Sequence, residues 1–187
     1  GGNQYSYGVS IAIDPFGNIC ITGAYRGLDA DFDPGSGTYY LQPKGYRDMY
    51  VLKLNNEGQF LWARNIGGDY LAYGISITTD KTGNSYTTGY FKGQIDFDPG
   101  EGSCLMKVNG EFRKPMLSAS DGFILKLDAS GNFGWARQTG GEGFDAGTAI
   151  VSDQTDNLYV AGYFSATTDL NPGDAVNNVT SDGKMDR

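Results

Sequence analysis

Residues Tyr7–Tyr25 read YGVSIAIDPFGNICITGAY, and Tyr73–Tyr90 read YGISITTDKTGNSYTTGY. A third version, AGTAIVSDQTDNLYVAGYF, runs from Ala146 to Phe164. Within the first, Val9, Ile11 and Ile13 alternate with small or polar neighbours, which is the period of a strand. Asp14, Pro15, Gly17 and Asn18 then supply turn chemistry before NICITGAY begins. The stretch is predicted to be a β-hairpin, and the chain writes it three times. Its anchor aspartates Asp14, Asp80 and Asp153 follow one another at spacings of 66 and 73 residues. A self-similarity of that period signals a repeat architecture, which has to be settled before any site is read.

Working outward, DMYVLKLNNEGQFLWARNIGG (Asp48–Gly68) matches DGFILKLDASGNFGWARQTGG (Asp121–Gly141), with Trp62 and Trp135 in equivalent places. These stretches add a second hairpin, MYVLKL and FLWARN joined by NNEGQ, so each unit holds four strands. The run MYVLKL is almost continuously apolar, as expected of a strand covered on both faces. Four-stranded sheets stacked face to face have that property and form a β-propeller. The unequal spacing comes from an insertion: Gly35 to Asp48 is 13 residues, whereas Gly100 to Asp121 is 21. In the third unit Gly173 to Asp186 is again 13, which aligns Asp186 with Asp48.

The phrases GNxxxTGYF, DFDPG, DxxVLKLxxxGxFxWAR and the GG that opens the next unit together resemble the SBBP repeat, a seven-bladed β-propeller repeat of bacterial extracellular and surface proteins. The resemblance covers essentially the whole chain. It implies one blade per repeat and an extracellular or cell-surface bacterial location; it implies no activity, because propellers host binders, scaffolds and enzymes alike. The expected fold is all-β, propeller blades of four-stranded antiparallel sheets in an incomplete ring of about two and two-thirds repeats. Repeat 1 is expected over 1–66, repeat 2 over 67–139 with a loop insertion at 101–120, and a truncated repeat 3 over 140–187. An open sheet edge follows, and exposed edges recruit strands. A larger propeller, or an assembly that completes the ring, is the corresponding expectation.

Composition narrows the function classes. Of the 187 residues 39% are hydrophobic and 13% aromatic, enough for a folded core, and 29 glycines with 13 tyrosines favour short strands and tight turns. A formal charge of −8 opposes nucleic acid and anionic membrane surfaces. No run of eighteen apolar residues is present for membrane insertion. The absence of histidine removes the commonest general base, the usual serine and cysteine triads, and most zinc or copper sites. Cys20 and Cys104 occupy non-equivalent places in the repeat, so two separate free thiols are expected rather than a disulfide.

One acidic phrase recurs: DFDPG at Asp31–Gly35 and Asp96–Gly100, and DLNPG at Asp169–Gly173. In the first copy Asp29, Asp31 and Asp33 alternate, so three carboxylates on one side of an extended segment suit a hard cation such as Ca²⁺. The candidate calcium ligands are Asp29, Asp31, Asp33, Asp96, Asp98, Asp169 and Asn171. The competing reading is structural: aspartate before a turn, proline at its first corner, and glycine free to take positive φ at its second. Phe32, Phe97 and Leu170 would then point into the core. A glycosidase pair is disfavoured, since acid and nucleophile must face each other across a sugar at about 5 Å or more in a single constellation, whereas this pair repeats.

Lys53 with Lys126 and Arg64 with Arg137 sit at matching places in the LKL and WAR phrases, and Asp48 and Asp121 are their candidate partners. Trp62 and Trp135 are expected in inter-blade packing rather than in a sugar-stacking platform. Gly67–Gly68 and Gly140–Gly141 read as blade-to-blade links. No catalytic residue and no cofactor site are expected. The expected function is a non-enzymatic scaffold for adhesion, assembly or protein–protein interaction, with calcium as a structural clip. Its partner-specific surface is expected at the inserted loop Glu101–Ser120, which carries Lys107, Arg113 and Lys114. The alternative is a carbohydrate-binding or carbohydrate-active module.

Overall fold

The computed structural model describes residues 5–110, 119–171, 173 and 175–183, and the fourteen elements they form are all strands. Strands β1 (Ser6–Ile13), β2 (Ile19–Tyr25), β3 (Asp48–Leu54) and β4 (Phe60–Gly68) pair antiparallel in chain order and make the first blade. The hairpin phrases place its turns as expected: the Asp14 amide bonds the Asn18 carbonyl, Gly17 takes φ 83°, and NNEGQ closes the turn between β3 and β4. Every residue of β3 is buried, which accounts for the apolar run MYVLKL.

The second unit repeats the plan but interleaves it. Strands β5 (Leu71–Thr79) and β6 (Ser85–Lys92) are followed by a short hairpin, β7 (Gln94–Asp96) with β8 (Leu105–Lys107), before β9 (Asp121–Leu127) and β10 (Phe133–Gly141) complete the second blade. The β7–β8 hairpin does not join its own blade. It adds to the outer strand of the preceding one, Gly67 opposite Asp96 and Gly68 opposite Ile95. In the third unit β11 (Ala146–Ser152) pairs with β12 (Leu158–Tyr163), and β13 (Thr167–Asp169) with β14 (Asn178–Thr180) adds in turn to β10 through Gly140 and Gly141. The second and third DFDPG-type hairpins are therefore straps across a joint, whereas the first makes only the Asp31–Tyr40 bridge within its own unit. Asp186, the aligned start of a third apolar strand, lies outside the described residues.

The paired glycines permit the strap. A Cβ on Gly68 would stand 2.0 Å from the Gln94 carbonyl oxygen, and one on Gly141 would stand 1.9 Å from that of Thr167. Backbone occupies the space that any other residue's side chain would need. The main core then lies between the first two blades: Cys20, Met49, Val51 and Trp62 of one pack with Ile77, Phe91, Phe123 and Leu125 of the other, and the strap contributes Ile95 and Phe97. Full burial of side chains of this size is worth about 1.5–3 kcal/mol each. Tyr86, Ile124 and Ile150 form a smaller cluster at the second joint.

Candidate functional site

The acidic phrase was the leading chemical candidate, and its geometry is that of a turn. Asp31 Oδ1 accepts the amides of Asp33 at 3.0 Å and Tyr39 at 2.9 Å. Asp96 does the same for Asp98 and Cys104, and Asp169 for Asn171 and Asn177. The second member of each pair, Asp33, Asp98 or Asn171, accepts the amide of the following glycine. The first residue closes the hairpin and the second caps its bend. The Tyr39 and Asp33 amides hold the Asp31 carboxyl below the usual carboxylate range. Two details differ from expectation: Gly35, Gly100 and Gly173 do not take positive φ, and Leu170 is exposed where Phe32 and Phe97 are buried. Among the described residues no three acidic or thiol side chains gather as a metal cage would require.

The repeated cations also serve construction, with different partners from those expected. Lys53 pairs with Asp14 at 2.9 Å, both side chains almost fully buried, and not with Asp48. Burial alone would push the Asp14 carboxyl up, but hydrogen bonds from Asn18 and Lys53 outweigh it and hold the group below its ordinary value. Asp48 instead accepts the amides of Lys44 and Gly45 and the Asn65 side-chain amide, because the loop before β3 turns back over it. Lys126 sits over the Tyr86 ring at 5.2 Å, not against Asp121. Trp62 is buried in the joint, as its role in packing requires, and its indole N–H donates to the Ala129 carbonyl at 3.1 Å. Cys20 and Cys104 are both free thiols, and burial pushes Cys20 up to about 11, which makes it unreactive at neutral pH.

What sequence reasoning missed is a cluster that does not repeat. Where the chain passes from β2 towards β3, the Arg26 guanidinium lies over the rings of Tyr5 at 4.9 Å and Tyr46 at 5.6 Å, and donates to the Tyr46 hydroxyl at 3.2 Å. Arg47 covers Tyr7 at 5.6 Å and Tyr46 at 6.0 Å, and donates to the Tyr7 hydroxyl at 2.7 Å. The row continues by ring contacts: Tyr46 stacks on Tyr70 at 5.7 Å, Tyr7 leans on Tyr73, and Tyr73 stacks on Tyr90 at 5.5 Å. In the second unit the places of Tyr46 and Arg47 are held by Ala119 and Ser120. Tyr46 is 53% exposed and Tyr5 64%. The available signal was the departure from the repeat at Tyr46–Arg47 in a tyrosine-rich chain.

This arrangement concentrates two guanidinium groups on a protein of net negative charge and holds them over aromatic rings. Arginine and tyrosine in contact offer charge, hydrogen bonding and apolar area at low conformational cost, the combination enriched at the centres of protein interfaces. A second feature is an open groove of about 630 Å³ beside the first strap, bounded by Tyr39, Arg64, Asn65, Asp98, Asn132 and Phe133. The inserted loop can be placed only in part: Lys107 closes β8, whereas Arg113 and Lys114 lie outside the described residues.

No family model matches the chain. The chain is 30% identical over 162 residues, 83% of its length, to an uncharacterized WD repeat-containing protein, L264, of Acanthamoeba polyphaga mimivirus. It is 30% identical over 119 residues, 64% of its length, to the regulatory protein FlaEY of Caulobacter vibrioides. The chain spans 11% and 12% of these relatives. The similarity to a WD repeat-containing protein agrees with a propeller-type repeat fold.

Proposed function

We propose that the protein is a non-enzymatic repeat scaffold that binds other proteins, and that its binding face is the Tyr5–Arg26–Tyr46–Arg47 cluster. The observation that carries this reading is the non-repetition of the side-chain cluster: the backbones of Tyr46 and Arg47 join the second unit at Tyr70 and Leu71, as Ser120 joins the third at Phe144, but the second unit has Ala119 and Ser120 in their places and so lacks the two guanidinium–tyrosine contacts at this joint. Similarity to a WD repeat-containing protein and a regulatory protein supports an interaction role. A secreted or cell-surface setting, with adhesion or assembly as the task, extends the SBBP resemblance of the sequence.

The test is selection of binders from a displayed peptide library on the immobilised chain. Convergence on peptides whose affinity falls at least about tenfold with Tyr46→Ala or Arg26→Ala, the melting temperature being unchanged, supports the reading. Convergence on peptides indifferent to both substitutions contradicts it. The open groove beside Tyr39 and Arg64 favours the carbohydrate-binding alternative, and a glycan array separates the two: sugar binding lost with Tyr39→Ala but kept in Tyr46→Ala would select the second. The calcium clip at Asp29, Asp31 and Asp33 has its own test. Chelator lowers the melting temperature if the clip exists, and leaves it unchanged if the carboxylates act only on backbone amides.

A further inference from the structure

We propose that Arg26 and Arg47 form an anion site, and that its occupant is an acidic segment of a protein partner whose aspartate or glutamate carboxylates supply the counter-charge these two residues lack. The proposal rests on the protein-binding reading of this face and names the chemistry of the partner. Three other cations are spent within the fold. Lys53 pairs with Asp14 and Lys81 with Asp156. The Arg64 guanidinium and the Trp62 indole close a clamp on the second blade, donating to the carbonyls of Gly131, Ser130 and Ala129. Arg26 and Arg47 are met differently. Each gives one bond, from Nη1, to a tyrosine hydroxyl, and neither joins an ion pair among the described residues. The Nε of each is screened from water and has no hydrogen-bond partner.

Two half-buried guanidinium groups in that state carry an electrostatic cost, because each has lost water without gaining a charged acceptor. Arginine cannot escape the cost by releasing its proton. Both groups lie over the Tyr46 ring, so an anion beside that ring is within reach of both and offsets the cost. The scaffold holds them ready. The Arg26 amide donates to the Tyr5 carbonyl at 3.0 Å, and the Arg47 carbonyl accepts the Ala72 amide at 3.0 Å, so both residues start from fixed backbone. Tyrosine rings then set the position of each guanidinium, and little side-chain freedom is left to lose on binding. The Tyr46 hydroxyl accepts a bond from Arg26 and has its own proton to donate to the same anion.

The surroundings decide which anion. The chain carries a formal charge of −8, so a nucleic acid or an anionic membrane meets net repulsion beyond the two arginines. A short peptide segment can place one or two carboxylates on the guanidinium groups, in charge-assisted hydrogen bonds, and keep its other residues uncharged. Surface for those residues adjoins the site. Tyr5 and Tyr46 are exposed, and Leu28, 67% exposed, stands just past Arg26 across the turn at Gly27, where φ is 98°. Beyond Arg47 the half-buried rings of Tyr7, Tyr73 and Tyr90 continue the aromatic row. Such rings supply contact area to a peptide and none of the repulsion that a carboxylate rim would.

The experiment titrates the full chain with the peptide acetyl-Glu-Tyr-Glu-Leu-Glu-amide and with its analogue bearing glutamine for each glutamate, following the arginine Nε–H signals by nuclear magnetic resonance. The glutamate peptide is expected to saturate, to move the Arg26 and Arg47 signals while leaving that of Arg64 in place, and to bind at least about tenfold tighter than the glutamine peptide at about 0.05 M salt. The gap is expected to narrow severalfold at about 0.5 M salt. Arg26→Gln with Arg47→Gln is expected to bring the two peptides to equal affinity, with the melting temperature reporting the fold; the peptide comparison itself needs no variant of the protein. Equal affinity of the two peptides for the unaltered chain, both weakened by Tyr46→Ala, would leave the protein-binding reading standing and overturn the acidic partner. Arg26 and Arg47 signals that neither peptide moves would overturn it as well. Inorganic phosphate binding as tightly as the glutamate peptide would reduce the site to unselective anion capture, and tighter binding of heparin or of phosphatidylserine vesicles at about 0.15 M salt would assign it to a polyanion; either result contradicts the proposal.

Discussion

Lys53 and Lys126 occupy the same position in the repeat and face different energetics. Lys53 and Asp14 are almost fully out of water, so Lys53→Met leaves a buried carboxylate without its partner and is expected to cost about 3 kcal/mol or more. Lys126 lies against Tyr86 at a half-buried position and is not locked in a buried ion pair, so Lys126→Met is expected to cost under about 1 kcal/mol. Urea denaturation of the two variants checks the difference; equal losses would contradict the assigned pairings. Asp121 gives a pH dependence. Burial pushes its carboxyl up to about 7 against the hydrogen bonds of Gln138 and Asn109, and Asp145 adds to the rise. An unfolded aspartate ionises near about 4, so between about pH 4 and 7 the folded state binds the extra proton and stability falls as pH rises. Asp121→Asn is expected to flatten the decline in melting temperature across that window, and an unchanged slope would show that this carboxyl is not its source. At this scale the sequence was legible wherever a residue acts on its own neighbours, as Asp31 and Asp33 do. Long-range partners such as Asp14 for Lys53, and the meeting of Arg26 with Tyr5 and Tyr46, depend on how strands register across blades, which local pattern does not encode.

Among the elements, hairpins were legible and straps were not. Alternation and turn residues place β1 with β2 and β3 with β4, but the DFDPG hairpin reads as a loop of its own unit while it pairs with Gly67 and Gly68 of the one before. The cause is steric: two glycines open the end of β4 to another backbone, and a sequence shows glycines without showing what fills the space. The two equivalent glycines in the second-hairpin turns give a matched test. Both Gly58 and Gly131 take positive φ, at 79° and 80°, so alanine strains the backbone equally, by about 1 kcal/mol. Only Gly131 also lies against Trp62, so Gly131→Ala is expected to cost more by about 1–2 kcal/mol and Gly58→Ala to show the backbone term alone. Equal costs would mean that the Trp62 clamp is not closed in solution.

For the molecule as a whole, the repeat makes three units into one body by two devices, face-to-face seating of blades and a strap from the second unit to the first and from the third to the second. The all-β class and four-strand blade were legible because they follow from local period and composition. The non-repeating tyrosine–arginine face was hidden because it is assembled from separate turns and strand ends. Cross-strand nuclear Overhauser contacts between backbone protons test the strap most directly. They are predicted between Gly67–Gly68 and Ile95–Asp96, and again between Gly140–Gly141 and Thr168–Asp169. Their absence, or contacts that place β7 against a strand of its own blade, would contradict the strapped-blade architecture.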